Sequence, residues 1–173
     1  IQKHYNIIGV MSGTSLDGVD LAHLQFHIIN QNWSFEILDC ETIPYSENWL
    51  QELKSAVNYN QHQLLELNQN YTQLLGQIIA TFIEKHQIKN IDAVCSHGHT
   101  ILHQPQNGFT LQIGNLPEIA AYCKQTVVCD FRVQDVKLGG QGAPLVPIGD
   151  RILFAAYDYC LNLGGFSNVS FET

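Results

Sequence analysis

The stretch that decides the fold is Ile8-Gly9-Val10-Met11-Ser12-Gly13-Thr14-Ser15-Leu16-Asp17-Gly18-Val19-Asp20. Its first residues close an apolar run over 5–11 that suits a buried strand. A small polar segment follows, ending in the pair Asp17-Gly18. Asp-Gly between two apolar runs signals a hairpin, because a tight turn needs positive φ. Residues 20–29 alternate in polarity and read as the partner strand. Residues 33–43 alternate again, so the chain is expected to open with a three-strand antiparallel meander.

Working outward, residues 46–57 suit a helix capped by Ser46, with Trp49, Leu50, Leu53 and Val57 on one face. A longer helix is expected from Gln61 to His86, with an apolar stripe of Leu64, Leu67, Leu74, Leu75, Ile78, Ile79 and Phe82. A strand at 91–95 precedes the polar segment Ser96-His97-Gly98-His99-Thr100, read as a loop, and a short hairpin piece lies near 109–114. Residues 115–123 read as a helix capped by Asn115, and 126–130 as a buried strand. A Gly-rich loop (138–147), a short helix near 147–154 and a final strand, Gly-Gly turn and strand complete the pattern. Three antiparallel strands followed by alternating helices and strands predict a mixed α/β sheet layered with helices. The pattern ends at Thr173 inside a strand, which reads as half of a scheme that repeats.

The 173 residues include 8 Lys and Arg against 16 Asp and Glu, a formal net charge of −8. That balance argues against a nucleic-acid partner, which needs clustered cations. It leaves room for an anionic small ligand held by backbone N–H groups. A hydrophobic share of 45% argues against disorder, and the length suits one domain. Every apolar stretch is interrupted before 18 residues, so no membrane span is expected. The first residues lack the pattern of a signal peptide. Five cysteines without a CxxC pair suit reduced thiols in a cytosolic protein.

Several segments carry chemistry. Gly13 and Gly18 let backbone approach a ligand closely. Thr14 and Ser15 offer hydroxyl and N–H donors, and Asp17 and Asp20 suit a hydrated Mg²⁺ beside phosphates. The same residues also suit an ordinary hairpin turn. Neither a P-loop nor a dinucleotide fingerprint is present. Cys95, His97, His99 and His103 invite a zinc reading, and with it a metal-dependent hydrolase, but their spacing matches no standard site. Substrate contacts after a strand end are the better reading. Asp130 and Arg132 suit either a loop brace or a fork onto a ligand oxygen. Gly139, Gly140 and Gly142 surround Gln141 in a loop fit to lie flat on a ligand.

Six segments together resemble the anhydro-N-acetylmuramic acid kinase family: residues 8–20, 96–100, 111–115, 130–132, 139–147 and 162–170. Similarity to that family implies an α/β, ribonuclease-H-like (actin-like ATPase) lobe whose mixed sheet opens with the meander and is flanked by helices. It makes residues 1–173 the N-terminal lobe of a two-lobe kinase, with the C-terminal lobe beyond Thr173.

The implied reaction takes ATP, water and 1,6-anhydro-N-acetylmuramic acid to N-acetylmuramic acid 6-phosphate and ADP, in cytoplasmic peptidoglycan recycling. Carried over by position, Gly13, Thr14, Ser15, Leu16, Asp17, Gly18, Val19 and Asp20 match the ATP phosphate segment, with Asp17 and Asp20 toward Mg²⁺. Thr100, Asp130, Arg132 and Gln141 fall in segments lining the sugar side. Where many relatives read SHGQT, this chain has His99. The family's catalytic Asp is expected downstream of Thr173, so no carboxylate here is assigned as the base. A homodimer is the implied assembly. The alternative is a catalytically inactive lobe that binds sugar or phosphate.

Overall fold

The computed structural model describes residues 2–13, 15–163 and 167–171. β1 (Gln2–Ser12), β2 (Gly18–Ile29) and β3 (Asn32–Pro44) form the expected meander. β1 and β2 pair antiparallel with Ser12 opposite Val19, and β2 pairs antiparallel with β3. Alternation sorts their side chains. Ile8, Val10, Val19 and Leu21 are buried on one face, while Met11 and Asp20 lie exposed on the other.

β4 (Ala93–Gln104) lies parallel to β1. Its first half also carries β6 (Val127–Val128) in parallel, and its second half carries β5 (Phe109–Ile113) antiparallel. The resulting order is β3-β2-β1-β4, with β5 and β6 sharing the far edge of β4. This mixed sheet, opening with an antiparallel meander and flanked by helices, is the architecture of an actin-like ATPase lobe.

α1 (Glu47–Ser55) starts at Ser46, whose hydroxyl accepts from the Trp49 amide. It ends in a 3-10 turn over Ala56–Asn58, so Ala56 enters the core and Val57 faces solvent, against expectation. α2 (Gln61–Lys85) begins with a reciprocal capping box between Asn60 and Gln63. Its Leu67, Tyr71, Leu75, Ile79 and Phe82, each three or four residues apart, join Ile8, Val10, Val19, Leu21 and Val94 in one core. α2 also lies close to α3 (Ile119–Cys123): a Cβ on Gly76 would stand 2.5 Å from Tyr122 Cβ.

Further expectations need correction, beginning with the buried strand over 126–130, which is reduced to the two residues of β6 with Val128 exposed. Residues 96–100 are not a loop but the middle of β4, because pairing with β1 and β5 supplies the hydrogen bonds that their composition disfavours. Asp17-Gly18 is not a two-residue turn. Among the described residues of the connection between β1 and β2, Leu16 is left-handed (φ 60°), and Gly18 already belongs to β2. A Cβ on Gly18 would collide with the Ile43 carbonyl, so glycine there serves close strand approach. Asn115 does not cap α3, which starts at Ile119; it turns instead toward His97 and Asp130. Finally, a helix absent from the sequence reading, α4 (Phe131–Lys137), follows Asp130. α5 (Pro147–Leu153) is followed by Phe154, which packs edge-on against Phe35 of β3. β7 (Cys160–Leu163) and β8 (Ser167–Ser170) form a separate antiparallel pair, and the expected Gly-Gly turn lies outside the described residues.

Candidate functional site

A bulge in β4 organises the site. Val10 pairs with Ser96, but Ser12 pairs with His99, so β4 gains one residue against β1. Gly98 absorbs it at φ +68°. A bulge reverses which side chains face in. Val94 and Ser96 point to the core before it, and His99 and Ile101 after it. His97 and His99 consequently serve different surroundings.

On the inner side, His99 Nδ1 lies 3.0 Å from Ser12 Oγ. Ser12 Oγ also lies 2.6 Å from both the Tyr45 and Tyr71 hydroxyls, which are 2.5 Å from each other. All four groups are buried. Burial pulls the His99 pKa down to about 4, against a hydrogen bond to the Ser12 backbone that pulls it up. Burial likewise raises both tyrosines. All four side chains are neutral at pH 7. Tyr71 enters through Gly114, where a Cβ would stand 2.8 Å from its ring.

On the outer side, an Arg132 N–H donates to His97 Nε2 at 3.1 Å, and His97 Nδ1 lies 3.0 Å from the Gly98 carbonyl. Burial, and then the Arg132 charge, lower the His97 pKa, so this ring is neutral too. Asn115 Nδ2 donates to Asp130 Oδ1 at 3.0 Å and approaches the His97 carbonyl. Asp130 holds φ 62°, a costly conformation that is retained where surrounding contacts fix it. The buried Asn115 Oδ1 and Arg132 Nε lack partners among the described residues. A buried polar atom calls for a partner, and no described protein group supplies one to either atom.

The other expected residues fall nearby or elsewhere. Thr100 accepts from Gln112 Nε2 at 3.1 Å across β4 and β5. Gln141 is exposed on the loop after α4, where Asp135 accepts from the Gly142 amide at 2.7 Å. A Cβ on Gly142 would stand 2.8 Å from Arg132 Cγ, so this loop backs the arginine. In the β1–β2 connection, Ser15 donates to Asp17 Oδ1 at 2.7 Å, which lowers the Asp17 pKa. Thr42 donates to Asp20 at 2.5 Å. Thr14 lies outside the described residues. Asp20 and His97 line one cavity of about 610 Å³ with Met11, Thr42, Cys95 and Phe131. A second cavity of about 550 Å³, between α5 and β7–β8, is lined by none of the expected residues.

The histidine–cysteine zinc reading does not fit this geometry. His97 Nε2 accepts from Arg132, His99 faces the core, and His103 lies beside Thr110. Sequence reasoning missed Ser12, Tyr45, Tyr71, His97 as a partner of Arg132, and Asn115 as a partner of His97 and Asp130. Parity carried one signal: Ser12 shares the inward face of Ile8 and Val10, and a polar group there needs partners.

Comparison with known proteins gives a consistent result. A sequence model of the anhydro-N-acetylmuramic acid kinase family matches residues 5–172. A kinase of that name from Pseudomonas fluorescens (strain Pf0-1) is 42% identical over 171 residues, covering 94% of this chain and 46% of the relative. Its namesake from Francisella tularensis subsp. novicida is 36% identical over 178 residues, with coverage of 94% and 46%. The one from Pseudoalteromonas translucida is 34% identical over 200 residues, with coverage of 99% and 49%. The chain spans about half the length of the curated relatives it matches. With the match running from β1 to β8, the chain belongs to the anhydro-N-acetylmuramic acid kinase family.

Proposed function

We propose that this chain supplies the N-terminal lobe of an ATP-dependent kinase acting on 1,6-anhydro-N-acetylmuramic acid. The observation that carries the reading is the family match, which spans both the β1–β2 connection and the His97–Arg132–Asn115–Asp130 cluster. In the proposed reaction water adds at the anomeric carbon, the anhydro bridge opens and O6 takes the γ-phosphoryl group of ATP. The products are N-acetylmuramic acid 6-phosphate and ADP, and the setting is cytoplasmic cell-wall recycling. The base that activates the water is assigned to no carboxylate of this chain.

The residues fit those roles chemically. Residues Gly13 to Asp20 would hold the phosphates through backbone N–H groups and the hydroxyls of Thr14 and Ser15. No Lys or Arg lies between Lys3 and Lys54, so this segment offers carboxylates rather than cations to a polyanion. Asp17 and Asp20 would hold Mg²⁺, which when bound neutralises phosphate charge. On the sugar side, Arg132 would fork onto the lactyl carboxylate, with Asn115 Oδ1 accepting from a hydroxyl or the acetamido N–H. Asp130 is already tied to Asn115 and would orient it. Thr100 and Gln141 would complete the sugar side. Two copies are proposed to pair. No described helix is long and apolar enough to cross a membrane.

A coupled ADP-release assay on the full-length gene product with the anhydro sugar tests the reading; absence of turnover on that sugar sinks it. The alternative reading is that these 173 residues alone bind sugar or phosphate without catalysis. Calorimetry with ATP and the sugar tests that, and turnover by the 173-residue chain would rule it out.

A further inference from the structure

We propose that His99 is a positioning residue for the β1–β2 phosphate connection, acting as a fixed Nδ1–H donor that closes a hydrogen-bonded cluster on Ser12. The inference rests on the kinase reading above and adds to it a residue on the core side of the sheet, away from either ligand.

Proton counting carries the argument. Ser12 Oγ contacts Tyr45, Tyr71 and His99, and the two tyrosines contact each other, making four short contacts. Each hydrogen bond consumes one proton. The three hydroxyls supply three. The fourth must sit on His99 Nδ1, the nitrogen facing Ser12. If the proton were on Nε2, one contact of 3.0 Å or shorter would join two acceptors in a buried site. The four contacts therefore assign the neutral tautomer protonated on Nδ1.

The cluster's position gives it its role. Ser12 is the last residue of β1, next to Gly13, where the phosphate segment begins. Its three partners come from three separate places: Tyr45 after β3, Tyr71 on α2 and His99 on β4. The aromatic rings pack as well, with Tyr71 centroids 5.6 Å from Trp49 and 6.0 Å from His99. The first residue of a nucleotide-facing connection is thus fixed from three elements, and pre-ordering a loop reduces what ligand binding must spend on ordering it. His97, one bulge away, faces the opposite side toward Arg132. A defect at His99 should therefore weaken nucleotide handling and spare the sugar.

The test uses the full-length protein with His99→Leu, His99→Gln and Tyr71→Phe. Nitrogen-15 long-range NMR of the unaltered protein should show His99 protonated on Nδ1; an Nε2-protonated ring overturns the proposal. Kinetically, His99→Leu should raise the KM for MgATP about tenfold, the effect of one lost buried hydrogen bond, and leave the sugar KM within about twofold. His99→Gln, whose carboxamide can still donate to Ser12, should restore most of the loss. Tyr71→Phe should fall between them, and it carries the test if His99→Leu does not fold. Equal losses in both KM values, or no rescue by glutamine, would mark a merely structural histidine and overturn the assignment. Absence of turnover in the unaltered protein would instead remove the kinase reading, while the NMR result would still decide the tautomer.

Discussion

Gly98→Ala is the perturbation whose cost the structure specifies most fully. Gly98 sits at φ +68°, and a Cβ there would stand 2.6 Å from the Ile113 carbonyl oxygen and 2.8 Å from Asn115 Nδ2. Two penalties follow. Holding alanine in the left-handed region costs roughly 1–2 kcal/mol. Forcing a methyl against a strand carbonyl adds about 1–3 kcal/mol. Gly108 separates the two, because it has φ +65° and nothing within 4 Å. Gly108→Ala should suffer the conformational penalty alone. Both variants gain the same unfolded-state benefit of about 0.4–1 kcal/mol, so it cancels in the comparison. With a urea slope near 2 kcal/mol per molar, the midpoint of Gly98→Ala should fall about 1 M further than that of Gly108→Ala. Urea unfolding followed by circular dichroism reads the difference directly. Coincident midpoints would refute the claim that the β4 bulge is sterically closed.

Other consequences are open to direct measurement. Arg132→Gln should raise the sugar KM by about 10- to 100-fold, the effect of losing a charged hydrogen bond, with the MgATP KM little changed; an unmoved sugar KM would dissociate Arg132 from the sugar. Leu75→Ala, at a fully buried position of α2, should cost about 2–5 kcal/mol in urea unfolding, and a cost below 1 kcal/mol would contradict the packing described. Asp39 is held below the usual carboxylate range by His23 and then His86, and Glu41 chiefly by Lys85. Their pKa values are depressed in the folded state, so the stabilisation is present above about pH 4 and is lost as pH falls through the folded values. Thermal unfolding should thus weaken more steeply below that pH in the unaltered protein than in Asp39→Asn; parallel curves would remove the ion pairs from the account.

What could be read in the sequence was whatever local pattern decides alone. Period-2 alternation placed β2 and β3, and the stripe from Leu67 to Phe82 placed α2, because each repeats long enough to show its period. The sequence pattern stops short of the full β4 because its middle, with glycine and two histidines, has little intrinsic strand preference; β1 partners 86 or 87 positions earlier supply its pairing. α4 has only seven residues and starts at a left-handed Asp130, so neither cap nor period announces it. At the site, Asp130 and Arg132 stood out as charges on a loop. Asn115 was mistaken for a cap because its two partners, His97 and Asp130, are distant in sequence. Tyr71 was hidden inside an apolar stripe, where its hydroxyl gave no sign of reaching Ser12.

The central place of β1 has a consequence for how the chain is made. One edge of β1 is sealed by its immediate neighbour β2, but the other waits for β4. Roughly 80 residues separate those strands, which at common ribosomal speeds is about 4–16 s of synthesis. During that interval the nascent chain carries an open strand edge beside Ile8 and Val10, the kind of edge that recruits unrelated strands. The meander can form early from neighbouring contacts, whereas the parallel junction must first close a long loop. Chaperone capture of stalled nascent chains should therefore be strong before residue 93 emerges and fade once residues 93–104 have left the exit tunnel.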